Sequence, residues 1–406
     1  MHLITETSEL AAACARLAQQ PFITVDTEFM RESTFWPILC LIQIASDTDE
    51  IIIDPLAADL DLAPFFELMA AQDVLKVFHA GRQDIEIVYN MSRVIPYPIF
   101  DTQIAAMVCG FGDSVGYVML VKKLLREDVD KSSRFTDWSR RPLSKRQLNY
   151  ALGDVTYLID IYRQLDQQVT EANRSSWLSE ELSVLVDPRT YDLHPEDAWK
   201  RLKMRVKNPR SLAIMMEVAA WRERTAQSQN VPRNRIIKDD AIYDIANQSP
   251  GSVAELSKLR TISEGLARSS RGKDILAAVQ RGLGTDADSL PAISKSRALP
   301  PDAAAVIDLL RVLLKSAAAH HGVAPKLIAS MADLEKIAVD DEADVAALKG
   351  WRHDLFGSDA IALKHGKLAL MAQNGRIVRL NPASEQPERE DANSESNGSK
   401  VAQTAD

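Results

Sequence analysis

Two carboxylates inside an apolar segment constrain this chain more than any other feature. The segment PFITVDTEF has the β-branched and aromatic residues of a strand. Its Asp26 and Glu28 are two residues apart, so both side chains point to the same face of that strand. The apolar neighbours predict a buried central strand, where adjacent carboxylates repel each other unless a cation lies between them. We therefore interpret the pair as functional, with a solvent-facing edge strand as the alternative.

More strands and several helices are predicted in the first half of the chain. The strands are CLIQIAS, EIIIDP and LKVFHA, and LAPFFELMAAQ is a helix between the last two. IFDTQIAA predicts a helix that begins at Asp101. A long helix is expected from Ser144 to about Asn173. Its stripe at helical spacing consists of Leu148, Leu152, Val155, Ile159 and Tyr162. This order predicts a mixed sheet flanked by helices.

The pattern changes after about residue 175, where strand signals nearly vanish. We expect a first domain over 1–175, a linker or helical connection over 176–207, and helical blocks over 208–286 and 297–375. The two blocks resemble each other, since each has a helix, a polar break ending in V-P or V-A-P, a basic residue and a second amphipathic helix. Residues 384–406 are rich in Ser, Glu and Asn and are expected to form a disordered acidic tail.

Two further motifs could join the acidic pair. Asp84 follows a strand and a glycine-containing turn in LKVFHAGRQDIEIV, which puts it at a helix start, and a simple N-cap is the alternative. Tyr150 and Asp154 in LNYALGDVTYL share one turn of the long helix. An exposed tyrosine and a solvated aspartate without a functional role are an equally open interpretation. Gly153 costs helix stability, which indicates that something packs closely there. His79, at the end of a buried strand, is interpreted as structural.

Together these three motifs resemble the DEDD superfamily of 3′→5′ exonucleases, in its tyrosine-containing branch. The surrounding segments VDTEFMRESTFWPILCLIQIA, KVFHAGRQDIEIV, FDTQIAA and DWSRRPLSKRQLNYALGDVTYL resemble the ribonuclease D family. WRERTAQSQNVPRNRIIKDDAI resembles the HRDC domain, a small helical module shared with RecQ-type helicases. The resemblance covers about residues 1–375. It implies an α/β ribonuclease H-like exonuclease domain, a mixed sheet flanked by helices, followed by two small all-α HRDC-like domains.

The resemblance also implies a role for each matching residue. The family's four metal-binding carboxylates are matched by Asp26, Glu28, Asp84 and Asp154. Tyr150 matches the tyrosine that orients the attacking water, and Phe29 lies where the family meets the terminal nucleotide. A recurring D-W-x-x-R-P-L stretch is matched by Trp138, Arg141 and Pro142, with a structural loop beside the site as the alternative to RNA contact. The second helical block departs most from the HRDC pattern, since it lacks the Trp-Arg pair of the first and has His320-His321 nearby.

Chemistry and resemblance predict a metal-dependent 3′→5′ exoribonuclease. Carboxylates suit two divalent cations, Mg²⁺ or Mn²⁺, rather than zinc, and two cations serve both the attacking and the leaving oxygen of a phosphodiester. The products would be nucleoside 5′-monophosphates, and the partner is RNA with a free 3′-hydroxyl. Trimming of tRNA precursors is implied by the resemblance alone. A DNA 3′→5′ exonuclease with the same site and a catalytically inactive RNA-binding module are the alternatives.

The charge distribution limits how the chain can bind RNA. The net charge of −9 excludes a basic surface overall. One local exception is RLKMRVKNPR, with five bases and no acid. Its candidate RNA contacts are Arg201, Lys203, Arg205 and Lys207, with a solvated linker as the alternative. Three scattered cysteines show no disulfide or zinc spacing. With neither a signal peptide nor a membrane-spanning segment, the chain is expected to be soluble and cytoplasmic, with no obligate protein partner.

Overall fold

The structure, a computed structural model, describes residues 3–130, 136–204, 206, 208–292 and 300–382. The chain divides into two compact units, Met1–Arg297 and Ala298–Asp406. Among the helices of the described residues, none is both long and apolar enough to cross a bilayer. The predicted acidic tail lies outside the described residues, as do Arg205 and Lys207 of the basic run.

A six-stranded mixed sheet forms the centre of the first unit. Its strands are β1 (Leu3–Ile4), β2 (Phe22–Met30), β3 (Ile38–Ala45), β4 (Glu50–Ile53), β5 (Leu75–Phe78) and β6 (Ile99–Asp101). Their order across the sheet is β1-β4-β3-β2-β5-β6. β3 runs antiparallel to both β2 and β4, and the other neighbours are parallel. β2 therefore lies in the interior of the sheet, which confirms the prediction of a buried central strand. β1 and β6 escaped prediction because two or three residues are too few to show an alternating pattern.

Helices flank this sheet, as predicted. They are α1 (Thr7–Leu17), α2 (Ala63–Ala70), α3 (Arg82–Ser92), α4 (Thr102–Val108), α5 (Tyr117–Leu124), α6 (Lys145–Glu171) and α7 (Ser175–Leu182). α6 is the predicted long helix, and it packs across β2, β3 and β4. It begins with a capping box, in which Ser144 accepts a hydrogen bond from the Gln147 backbone N–H and the Gln147 side chain accepts one from that of Ser144.

A helical module completes the first unit. Its helices are α8 (Pro209–Ser228), α9 (Arg233–Ile236), α10 (Asp239–Gln248), α11 (Val253–Leu256), α12 (Glu264–Arg268) and α13 (Ser270–Leu283). Two 3₁₀ helices, Pro188–Thr190 and Pro195–Arg201, lie in the segment that connects it to the sheet domain. The second packs against α8 and buries Ala198 in the core of the module. The connection is therefore part of the packed structure.

The loop that follows β2 also belongs to the core of this helical module. Phe35 is 3% exposed and packs among the buried side chains of the module. The backbone N–H groups of Phe35 and Trp36 donate hydrogen bonds of 3.1 and 3.0 Å to the side-chain oxygen of Asn230. The guanidinium group of Arg233 lies 4.4 Å from the centre of the Phe35 ring. The strand that carries Asp26 and Glu28 is thus joined by a short loop to the helical module.

The second unit begins with helices and ends in a hairpin. Its elements are α14 (Ala303–His321), α15 (Pro325–Ile328), α16 (Met331–Val339), α17 (Gly350–Arg352), a π-helical turn (His353–Gly357), α18 (Ser358–Lys364), β7 (Ala369–Gln373) and β8 (Arg376–Leu380). The prediction that this block is all-α is wrong at its end, because β7 and β8 pair antiparallel. The turn between them is Asn374-Gly375, and both residues have positive φ. An Asn-Gly turn of this kind matches the twist of paired strands and is a strong hairpin signal.

Candidate active site

Asp26 and Glu28 lie on the face of β2 that α6 covers. Thr24 shares that face, and its hydroxyl contacts the carbonyl oxygens of Ala45 on β3 and Val155 on α6 at 3.2 and 2.9 Å. The pairing register of β2 with β3 shifts between Glu28 and Phe29, where the regular alternation ends. The two carboxylates therefore lie at the end of the regularly paired part of β2, on the face that α6 covers.

α6 brings a third carboxylate to the same place. One carboxylate oxygen from each of Asp26, Glu28 and Asp154 lies within 4.8 Å of those of the other two. Tyr150, one helical turn before Asp154, forms a side-chain hydrogen bond with it. The motifs that the sequence separates by more than 120 residues thus meet between β2 and α6.

Asp84 approaches the cluster from α3, but it is not the first residue of that helix. α3 begins at Arg82 and is preceded by Gly81, so the expected helix start at Asp84 is wrong by two residues. Asp84 is buried in the first turn, where its carboxylate accepts a hydrogen bond from the Thr27 hydroxyl of β2. Its charge raises the pKa of both Asp26 and Glu28, although Asp84 is not part of the group of three whose oxygens lie within 4.8 Å of one another.

Asp101 binds the turn that precedes α3. Its carboxylate accepts hydrogen bonds from the backbone N–H groups of Ala80 and Gly81, at 3.2 and 2.8 Å. The same carboxylate accepts from Gln103 and Ile104 and so caps α4, as the sequence predicts. One buried aspartate therefore caps α4 and binds the turn that leads into α3, the helix that carries Asp84.

The environment of the four carboxylates opposes their ionisation. Burial, followed by the negative charges of the other three, raises the pKa of Asp26 well above its usual range. Burial raises the pKa of Glu28 to about 8, with the charges of Asp154 and Asp84 adding to it. Burial also raises the pKa of Asp154 to about 7 and that of Asp84 to about 6. A bound cation would relieve this repulsion, and oxygen-only ligands are typical of hard divalent metals.

Comparison with known proteins agrees with this geometry. A family model described as 3′-5′ exonuclease matches residues 1–170, and the HRDC domain model matches residues 211–279. The chain is 55% identical over 380 residues to ribonuclease D of Nitrobacter hamburgensis, covering 94% of this chain and 99% of that one. It is 48% identical to ribonuclease D of Bartonella henselae, covering 93% of both chains. The chain belongs to the ribonuclease D family of exoribonucleases.

The fold leads to the same family. The crystal structure of Escherichia coli RNase D, an exoribonuclease involved in structured RNA processing, matches with a TM-score of 0.77 and 28% sequence identity, covering 90% of this chain and 98% of that one. The comparison therefore spans the exonuclease domain and the helical part that follows it.

Two residues that sequence reasoning treated as structural, or missed, support α6 in this ribonuclease D family member. Tyr117 on α5 donates a hydrogen bond of 2.6 Å to the carbonyl oxygen of Gly153, next to Asp154. The His79 ring packs against the Tyr117 ring, and its Nδ1 lies 2.9 Å from the Thr102 hydroxyl. Burial lowers the pKa of His79 to about 4, so it is neutral near pH 7. No motif in the sequence singles out Tyr117.

The D-W-x-x-R-P-L stretch packs beside the site. Arg141 forms a two-pronged ion pair with Asp54, both contacts at 2.6 Å, and donates further hydrogen bonds to the carbonyl oxygens of Cys40 and Trp138. Trp138 is buried, with its ring centre 6.0 Å from that of Tyr150. These contacts favour the structural interpretation of this stretch, because the Arg141 guanidinium is bound by Asp54 and by backbone carbonyl oxygens of this chain.

The candidate RNA contacts are not all free. The Arg201 guanidinium lies 2.6 Å from Glu223 of α8, which is fully buried and also binds Arg233. The sequence run contains no acid, yet the fold supplies one from a distant segment. Lys203 is exposed and Phe29 is half-buried at the β2 register shift. These two residues remain candidates for contact with RNA.

Gly153 borders open space beside Tyr150. Among the described residues, and apart from its chain neighbours and the nearby backbone of α6, a Cβ atom at Gly153 would meet no atom within 4 Å. The close contact at this position is made at the carbonyl oxygen of Gly153, by the Tyr117 hydroxyl. Gly153 and Tyr150 line a cavity of about 620 Å³, together with Lys145 and Arg146 at the start of α6. Tyr150 is therefore reachable from outside.

Proposed function

We propose that this family member removes nucleotides from the 3′ end of RNA with the help of two divalent cations, Mg²⁺ or Mn²⁺. The observation that carries the proposal is the set of carboxylate oxygens from Asp26, Glu28 and Asp154 within 4.8 Å of one another, in a half-buried site that raises their pKa values. Asp84 would complete the ligand set from α3. The products would be nucleoside 5′-monophosphates.

The ligands suit hard cations. All members of the cluster are carboxylates, and carboxylate oxygens favour Mg²⁺ or Mn²⁺ over zinc. Bound cations would supply positive charge for the attacking oxygen, the leaving oxygen and the phosphoryl group. The protein would hold the carboxylates in place through the Thr27 hydroxyl at Asp84 and through the packing of α6 on β2.

Tyr150 would orient the attacking water. Its hydroxyl lies at Asp154, one turn along α6, and its ring is flanked by the buried Trp138. A side chain held on both sides keeps its hydroxyl in one position, which suits a group that must direct a water molecule in line with the scissile bond. Tyr117 would assist by fixing the α6 backbone at Gly153.

RNA is the favoured substrate. The chain matches a protein named ribonuclease D over 94% of its length, and the E. coli relative is involved in structured RNA processing. Precursors of tRNA are the RNA class we propose. A DNA 3′→5′ exonuclease is the second candidate, because the carboxylates would contact phosphate and sugar rather than base. An inactive RNA-binding module is disfavoured by the presence of all five expected site residues.

We also propose that residues 300–382 contain a second HRDC-like domain. In the first module a long helix, α8, is followed by Val231-Pro232, the four-residue α9 and then α10. In the second unit α14 is followed by Val323-Ala324-Pro325, the four-residue α15, which begins at that proline, and then α16. Equal order and equal length of the short helix support duplication of one helical unit, to which the β7–β8 hairpin has been added.

A matched substrate series tests the proposed reaction. The full chain would be incubated with RNA and DNA of one sequence carrying a 3′-hydroxyl, and with the same RNA carrying a 3′-phosphate. We expect shortening of the 3′-hydroxyl RNA in Mg²⁺ or Mn²⁺, release of nucleoside 5′-monophosphates, and no reaction in EDTA or with Asp26→Asn. A tRNA precursor should lose only its 3′ trailing nucleotides.

Each alternative has its own signature in this series. Equal or faster degradation of DNA would favour the DNA exonuclease. RNA that is bound but not cut in either metal would favour the inactive module. Full activity of Asp26→Asn would show that the carboxylate cluster does not take part in the reaction.

A further inference from the structure

The sheet beneath the candidate site contains a buried amide without a partner. Gln43 lies on β3 with 0% exposure, and neither its amide oxygen nor its amide nitrogen has a hydrogen-bond partner among the described residues. Leaving buried polar atoms unsatisfied is costly, and native structures contain few such atoms. A leucine or methionine would fill the same space without that cost. The glutamine therefore calls for an explanation outside ordinary packing.

The strand register places Gln43 beside Asp26. The two residues are direct partners in the antiparallel pairing of β2 with β3. Directly opposite residues of such a pair point to the same face, with Cβ atoms about 4.5–5.5 Å apart. Leu41 and Ala45, two residues before and after Gln43, belong to the apolar core formed with α6. The amide thus lies in the layer between the sheet and α6 that contains the carboxylates.

Among the described residues, the other neighbours of Gln43 in that layer form no hydrogen bond with its amide. Its partner on the opposite side is Ile52 of β4. The nearby Thr24 hydroxyl is already engaged with the carbonyl oxygens of Ala45 and Val155. Asp26 is the polar side chain next to Gln43 across the sheet. A glutamine amide can donate from nitrogen to a carboxylate and can accept at oxygen from a water molecule that hydrates a cation.

We propose that Gln43 is a positioning residue for the cation site. Its amide orients the Asp26 carboxylate and the water around the cation, and this raises the affinity of the site for the cation. Residues that hold metal ligands in place typically change metal affinity 10- to 100-fold when they are replaced. The inference rests on the proposed role of Asp26 as a metal ligand.

Replacement of Gln43 by an apolar side chain of similar length tests this role. Mn²⁺ would be titrated calorimetrically into the full metal-free chain, for wild type and Gln43→Met. We expect binding at least about tenfold weaker in the variant, a matching rise in the Mn²⁺ concentration for half-maximal turnover, and a KM for RNA within about twofold of wild type. The metal-free variant should also unfold at a higher temperature than metal-free wild type, because the orphaned amide is gone.

Ile44→Met is the matched control. Ile44 is the next residue on β3, is equally buried, and points to the opposite face of the sheet. It should leave Mn²⁺ affinity unchanged and lower the unfolding temperature slightly. Gln43→Leu serves as a second apolar variant if Gln43→Met does not fold.

The possible results separate this inference from the proposed function. Wild-type Mn²⁺ affinity in a folded Gln43→Met or Gln43→Leu overturns the role of Gln43, and a lower unfolding temperature with unchanged affinity makes Gln43 purely structural. If Asp26→Asn also binds Mn²⁺ with wild-type affinity, the proposed metal site itself is wrong. If Asp26→Asn loses Mn²⁺ binding and Gln43→Met binds Mn²⁺ normally, the proposed metal site stands and only the role of Gln43 is ruled out.

Discussion

The Tyr117 hydroxyl donates a hydrogen bond of 2.6 Å to the carbonyl oxygen of Gly153, the residue between Leu152 and Asp154 on α6. Tyr117→Phe removes this bond and keeps the ring. We expect a loss of about 0.5–1.5 kcal/mol in the free energy of unfolding and a fall in kcat that exceeds any change in KM. Chemical denaturation and steady-state kinetics measure the two effects. A normal kcat would show that the bond supports only the fold.

Tyr150→Phe tests the water-orienting hydroxyl. The variant keeps the ring that packs beside Trp138, so the fold should be preserved. If the hydroxyl directs the attacking water, kcat should fall by about ten- to a hundredfold, with little change in KM for RNA. Single-turnover kinetics at saturating Mg²⁺ would isolate this step. An unchanged rate would return Tyr150 to a packing role.

The stability of the metal-free protein should depend on pH through the carboxylate cluster. Raised pKa values mean that the folded state keeps protons that the unfolded chain has lost, so stability falls as pH rises. The fall should begin near the ordinary carboxyl value of about 4 and continue through the folded pKa of Asp154, about 7, and of Glu28, about 8.

Thermal unfolding in EDTA at increasing pH measures this effect. Asp154→Asn should flatten the curve, and saturating Mn²⁺ should do the same for wild type, because a bound cation replaces the protons. An identical pH dependence in Asp154→Asn and wild type would contradict the assignment of the raised pKa to this cluster.

Gly153→Ala should stabilise the protein. Glycine in a helix interior costs about 1 kcal/mol relative to alanine. Among the described residues, the added methyl group meets no atom within 4 Å apart from its chain neighbours and the nearby backbone of α6. The control is the same substitution at Gly282 in α13, where a Cβ atom would lie 2.7 Å from the Ile214 Cα atom. Denaturant titration should give opposite signs for the two variants. A destabilising Gly153→Ala would mean that the cavity beside Tyr150 is narrower than described.

Arg201 and Lys203 should respond differently to substitution by glutamine. Arg201→Gln leaves the buried Glu223 with Arg233 alone, so we expect lower stability. Lys203 is exposed, so Lys203→Gln should keep stability. If Lys203 contacts a phosphate, the variant should lower the salt dependence of RNA binding by about 0.7 in log–log slope. Binding titrations at several salt concentrations and thermal unfolding distinguish the two. If both variants changed thermal stability and the salt dependence of RNA binding by the same amounts, the assignment of Arg201 to stability and Lys203 to RNA contact would be contradicted.

The predictable part of the molecule depends on local periodicity. Asp26 and Glu28 could be assigned to one face of a buried strand because a strand alternates every second residue, and Tyr150 and Asp154 to one helical turn by their spacing. Glu223 at Arg201 and Tyr117 at Gly153 could not be found in this way, since each contact joins segments that only the tertiary fold brings together. The contact of Asp101 with the turn before α3 is likewise made by a segment distant in sequence.

The Asn230 contact with Phe35 and Trp36 limits where the domains of this enzyme can be separated. A ring from the exonuclease domain belongs to the core of the helical module, so the module lacks a buried aromatic side chain when it stands alone. An excised exonuclease domain would expose Phe35 and release the loop a few residues beyond Glu28. Exchange of helical modules among family members would therefore require residues 31–37 to travel with the module. A helical module that is exchanged as a unit would therefore include the loop after β2. The connecting segment between the two domains in sequence is not its full boundary.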